Sequence, residues 1–90
     1  PHTQRSMSMN LEDYTVLMND IIRDEYLKPD ERHEALLVLA QDIERIAWQP
    51  WAQQGARTLA TQARVAAENF ADGGLDALMR LATKGVIRLR

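Results

Sequence analysis

The sequence predicts an all-α fold, a small helical bundle of three main helices plus a short C-terminal helix and an extended basic tail. Three observations carry that expectation. Apolar residues recur at alternating spacings of three and four along successive segments, the period of one helix face. Start and stop residues bracket those segments at Asn10, Pro29, Pro50, Gly73-Gly74 and Gly85. Only the end of the chain, from Ile87 on, alternates apolar with basic side chains as a strand does.

Asn10 is suited to cap the first helix, and Asp13 three residues later places an acid at the positive end of the helix dipole. The helix then starts at Leu11, with Leu11, Tyr14, Met18 and Ile21 on its buried face and Leu17 and Ile22 widening the stripe. It is expected to run to about Leu27, because Pro29 disfavours helical backbone at Lys28. Pro29 suits the first position of a second helix, with Asp30 and Glu31 in its opening turn. Leu36, Leu39, Ile43 and Ile46 repeat the 3, 4, 3 spacing there, and the dense run Ala35–Ala40 predicts burial on more than one side.

Gln49-Pro50 ends or kinks that helix. The third helix is the most regular: Ala52, Ala56, Leu59, Ala63, Ala66 and Phe70 make a stripe of mostly small residues. Alanine along a seam lets a neighbouring helix approach at the low end of the usual 8–10 Å range. Asp72-Gly73-Gly74 is expected to close it, since glycine accepts the left-handed conformation found at helix ends. A short fourth helix, Leu75–Thr83, carries Leu75, Leu78, Leu81 and Ala82 on one side and stops at Gly85.

Ninety residues correspond to one domain, and a chain of that length buries only about 60–65% of its unfolded surface. Residues 1–9 read as a leader or cloning remnant, with Met7 or Met9 as the natural start, and 10–90 as a single helical domain. A core this thin calls for a staple or a partner, and the absence of cysteine removes disulfides and thiolate metal sites. Self-association remains, so the alanine seam and the dense second helix predict a homodimer. No apolar run reaches the 18 residues of a membrane span, and a soluble, cytoplasmic protein is expected.

Catalysis finds little to work with. There is no cysteine, and the two serines, Ser6 and Ser8, both fall in the leader. No glycine-rich phosphate loop is present. Asp30, His33 and Glu34 lie within one helical turn, but one imidazole among carboxylates in an opening turn reads as a solvated face. The sequence therefore predicts no enzyme, no metal and no cofactor.

Charge is unevenly distributed. Residues 1–45 hold five basic groups against ten acidic ones, a net of -5, whereas residues 46–90 hold six against three, a net of +3. Such halves can complement each other within the fold or across a dimer, or can engage charged partners. Both tryptophans flank the break Trp48-Gln49-Pro50-Trp51, where they are expected to wedge two helices apart, and an exposed member would mark a binding surface. The reading is a non-catalytic protein-protein interaction module, a small adaptor, regulator or inhibitor of the bacterial or phage accessory kind, acting on a larger protein. Its expected contact residues are Trp48, Trp51, Arg57 and Arg64, with Asp20, Asp24 and Glu31 as a second, acidic patch.

The segment Leu78-Met79-Arg80-Leu81-Ala82-Thr83-Lys84-Gly85-Val86-Ile87-Arg88 resembles the end of a recognition helix and the first wing strand of winged-helix DNA-binding domains. That resemblance covers 11 residues and implies the alternative function, a DNA-binding regulator contacting nucleic acid through Arg80, Lys84, Arg88 and Arg90. Leu75-Asp76-Ala77 departs from the pattern by offering little polar chemistry for base edges. The net acidity of the chain opposes phosphate-dominated binding.

Overall fold

The capping pattern at Asn10 sets the first element of the computed structural model, which describes residues 10–50 and 52–87. The Asn10 Oδ1 accepts the Asp13 amide at 2.9 Å, and Asp13 Oδ2 accepts the Asn10 amide at 3.2 Å. This reciprocal pair satisfies two otherwise free donors and starts α1, Leu11–Arg23. The helix ends earlier than the Leu27 expected. Asp24 turns its backbone extended and accepts the Tyr26 amide on its own carboxylate at 2.9 Å, while Arg32 Nη2 donates to the Asp24 carbonyl at 2.6 Å. These bonds offer the chain an alternative to another helical turn.

The helix α2, Pro29–Ile46, begins with proline in its first turn as expected. It is the centre of the architecture, packing against α1, α3 and α4, whereas α4 packs on α2 alone. Leu36, Ala40 and Ile43 are fully enclosed, and Ala35 and Leu39 nearly so, which accounts for the apolar density of the run Ala35–Ala40.

Beyond the turn that follows α2, α3 spans Gln53–Ala67. Its buried face is Ala56, Leu59, Ala60, Ala63 and Ala67, with Ala52 just before it. Ala60 and Ala67 are buried, while the expected Ala66 lies only partly so. Phe70 falls beyond the helix, packs on the edge of the core and faces the Arg32 guanidinium, 5.7 Å from the ring centroid. The alanine seam meets α2 of the same chain, its main packing partner. The close neighbour that the seam called for is therefore α2. Where α1 passes α3, a Cβ on Gly55 would come within 2.7 Å of Leu11, so the smallest residue marks the crossing.

Gly73-Gly74 opens α4, Gly74–Thr83, rather than merely closing α3, and Gly74 enters with φ +62°. The buried face of α4 is Ala77 and Leu81, with Leu78 partly covered. That orientation leaves Leu75, expected on the buried side, 71% exposed. The helix ends in a Schellman motif: Gly85, at φ +79°, donates to the Ala82 carbonyl, and Val86 donates to that of Leu81. Val86 and Ile87 follow without forming a strand, and Arg88–Arg90 of the expected basic tail lie outside the described residues. The fold of the described residues is all-helical, with four helices. No helix among them is long and apolar enough to cross a membrane.

Ala63 is fully buried between α3 and α2. Ala63→Leu forces a bulkier side chain into that contact and is expected to lower the unfolding free energy by about 1–3 kcal/mol in urea denaturation. An unchanged midpoint would show that the two helices do not meet at this position.

Candidate functional site

Most of the ionic chemistry converges on the first two turns of α2. Pro29 sets the opening turn, and Asp30 and Glu31 follow it, both near the positive end of the helix dipole. The Glu31 carboxylate is fully buried. Its Oε1 accepts from the Lys28 amide at 2.9 Å and from Lys84 Nζ at 2.6 Å. Its Oε2 accepts from Arg80 Nη1 at 2.7 Å. The other Arg80 terminal nitrogen donates to Asp30 Oδ2 at 2.6 Å, so one guanidinium bridges adjacent carboxylates. Arg80 in α4 and Lys84 at its C-cap, four residues apart, reach the same acid. Lys84 Nζ also donates to the Tyr26 carbonyl at 2.9 Å and ties in the α1–α2 turn.

Burial pushes the Glu31 carboxyl up, but its hydrogen bonds from Lys84 and the Lys28 amide, with the charges of Lys84 and Arg80, hold it below the ordinary range. The Arg80 hydrogen bond holds Asp30 below its ordinary value despite partial desolvation, and the bond to Asp30 raises Arg80 in turn. Away from this cluster, Arg64 grips Glu44 with Nε at 3.0 Å and Nη2 at 2.7 Å. That hydrogen bond lowers the Glu44 carboxyl and raises Arg64. Both side chains are over 40% exposed, so solvent screening limits the pair to about 0–1 kcal/mol.

One turn further along α2, His33 and Glu34 meet the segment between α3 and α4. His33 Nδ1 lies 2.7 Å from the Ala67 carbonyl, at the end of α3, and Nε2 lies 2.5 Å from Asp72 Oδ1. Glu34 Oε2 accepts the Gly73 and Gly74 amides at 3.2 and 2.9 Å. A carboxylate from α2 thereby does for α4 what an N-cap side chain usually does from within its own helix. Gly73 is required at this spot, because a Cβ there would lie 2.4 Å from Ala77 and 2.9 Å from Asp30.

The sequence-predicted site residues do not form one patch. Trp48 stands 76% exposed at the α2–α3 corner rather than wedged into the core. Trp51 lies outside the described residues. Arg57 is exposed in the first half of α3, and Arg64 is held by Glu44. Asp20 is exposed on α1, and Asp24 caps the end of that helix. Glu31 does not belong to an acidic surface: it is buried because two cations of α4 close over it. Arg80 and Lys84, expected as contacts to nucleic acid, are those cations, and phosphate binding through them would first break three ion pairs. Arg88 and Arg90 lie outside the described residues.

Sequence reasoning missed the exposed pair Leu75 and Met79 on the outer face of α4. It also missed Asp72 as the partner of His33. Leu75 sits about 160° from Ala77 around α4, so burial of Ala77 and Leu81 turns it outward, and spacing alone did not choose between those faces. No signal in the spacing joins His33 to Asp72, which are brought together by the packing of α2 against the α3–α4 turn. No protein-family model, curated protein or solved structure matches the chain.

Glu31 and Asp30 have folded-state values below their unfolded ones, so their contribution is present above the ordinary carboxylate values and is lost as pH falls through the lowered folded values. Stability is therefore expected to stay level with respect to these groups from about pH 7 to 5 and to fall below about pH 4. Urea denaturation across that range checks it. Glu31→Gln is expected to be less stable at neutral pH and to show a shallower acid decline. A variant with the wild-type acid profile would contradict the assignment.

Proposed function

We propose that this protein is a non-catalytic interaction module, a small cytoplasmic adaptor, regulator or inhibitor that works by binding a larger protein. The observation that carries the reading is Trp48, whose side chain is 76% exposed at the corner between α2 and α3. An indole is among the largest apolar surfaces a residue can present, and tryptophan is concentrated at the centres of protein interfaces. A buried Trp48 would have had a sufficient role in the core, and an exposed one has no packing role that explains it. Leu75 and Met79, four residues apart on α4 and 71% and 54% exposed, add a second apolar strip that faces water.

The composition supports the non-catalytic part, because the chain holds no cysteine and its serines are confined to Ser6 and Ser8. The DNA-binding alternative gains no comparable support from Arg80 and Lys84, whose charges are engaged by Asp30 and Glu31. The exposed apolar surface suits a larger protein partner, and a second copy of the chain, the expected homodimer, is the other occupant it could take.

Trp48→Ala alters an exposed position and is expected to change stability by no more than about 0.5 kcal/mol. A protein retained by the wild type in affinity capture from the source cell is expected to bind this variant at least roughly 30-fold more weakly in calorimetry. Equal binding of the two forms, or no stoichiometric protein partner of the wild type, contradicts the proposal.

A further inference from the structure

We infer that His33, Glu34 and Asp72 form a binding site for one divalent cation of the zinc type, clipping the α3–α4 turn to α2. One ligand atom from each of these three residues lies within 4.8 Å of the other two. His33 Nε2 is 2.5 Å from Asp72 Oδ1 and 3.8 Å from Glu34 Oε2. Zinc binds nitrogen and carboxylate oxygen at about 2.0–2.2 Å in tetrahedral array, which places neighbouring ligand atoms roughly 3.3–3.5 Å apart. The first spacing must open, and the Glu34 carboxylate must turn to bring Oε1 onto the cation, changes within the reach of side-chain rotation. Asp72 is free to adjust because its side chain is 89% exposed.

The supporting bonds outside this trio favour a metal. His33 Nδ1 faces the Ala67 carbonyl at 2.7 Å, an acceptor for an Nδ1 proton, and Nε2 is the ring nitrogen turned toward the two carboxylates. A ligating histidine characteristically donates its other ring N–H to a carbonyl or carboxylate in this way. Glu34 is likewise oriented from outside: its Oε2 accepts the Gly73 and Gly74 amides, and Oε1 is the oxygen left to turn to the cation. Adjacent residues of a helix ordinarily point apart, yet His33 and Glu34 both address one turn. The direct Nε2–Asp72 contact at 2.5 Å occupies the place the cation would take, so binding replaces that contact with a bond from each atom to the metal. One imidazole with two carboxylates suits zinc better than magnesium, which prefers oxygen ligands and retains its waters. The exposed side of Asp72 leaves a fourth position for water.

The test is titration of the full chain with zinc chloride and, separately, magnesium chloride, followed by calorimetry and thermal denaturation. Wild type is expected to bind one zinc ion, and a hundredfold excess of zinc over Kd should raise Tm by roughly 10–20 °C. Magnesium is expected to do neither. Asp72→Asn, at an exposed position, should fold as wild type but bind zinc at least tenfold more weakly, and His33→Gln should lose binding. If His33→Gln fails to fold, Asp72→Asn alone decides the matter. No zinc binding by the wild type up to about 1 mM, or wild-type affinity in Asp72→Asn, overturns the site.

Discussion

A buried carboxylate must be paired, and the pairing of Glu31 determines how α4 is attached to α2. Glu31 lies at the start of α2, where its own helix supplies only the Lys28 amide. The remaining partners, Arg80 and Lys84, come from α4. Since α4 packs on α2 alone, its position rests on this cluster, on the small apolar face of Ala77, Leu78 and Leu81, and on the Glu34 cap at its start. An apolar face that small tolerates sliding and rotation. Two cations four residues apart that must meet one enclosed acid do not, because any other register leaves a charge buried without a partner.

The same constraint accounts for the surface. Turning Arg80 and Lys84 toward α2 turns Leu75 and Met79 away from it, so the exposed apolar strip on α4 is a consequence of where its ion pairs lie. The strongly acidic first half and basic second half of the chain are joined in the same way, through Asp30 and Glu31 to α4 and through Glu44 to Arg64. Cations engaged in the fold contribute less to any external field than the count of charges suggests. Among the large apolar side chains, Tyr26, Trp48 and Leu75 are left most exposed to water.

Helix existence and most of the buried positions of α2 and α3 were legible because they follow from local spacing, whereas the face of α4 was not, Leu75 being turned to water. The Asn10 cap, Pro29 and Gly85 each mark a boundary by a backbone requirement of a single residue. The α1 terminus was not legible, since Asp24 stops the helix through a bond with Arg32 that belongs to the next element. The alanine stripe announced a close neighbour without saying which, and both α2 and a second copy satisfied that pattern. The site was harder to read than the fold. Glu31 looked like one surface acid among many, and only the approach of α4 buries it. Trp48 carried two opposed readings, core wedge or surface, which spacing has no means to separate. His33 and Asp72 are 39 positions apart, and their contact depends on the path of the entire third helix.

The measurement that bears most directly on this account is a double-mutant cycle between Glu31 and Lys84, using Glu31→Gln, Lys84→Met and the combination in denaturant unfolding. If the buried acid and its cation fix α4 on α2, the two changes are coupled by about 1–2 kcal/mol, and the double variant is less impaired than the sum of the single ones. Additive effects, within about 0.3 kcal/mol, would contradict it and leave the apolar face of α4 as its attachment.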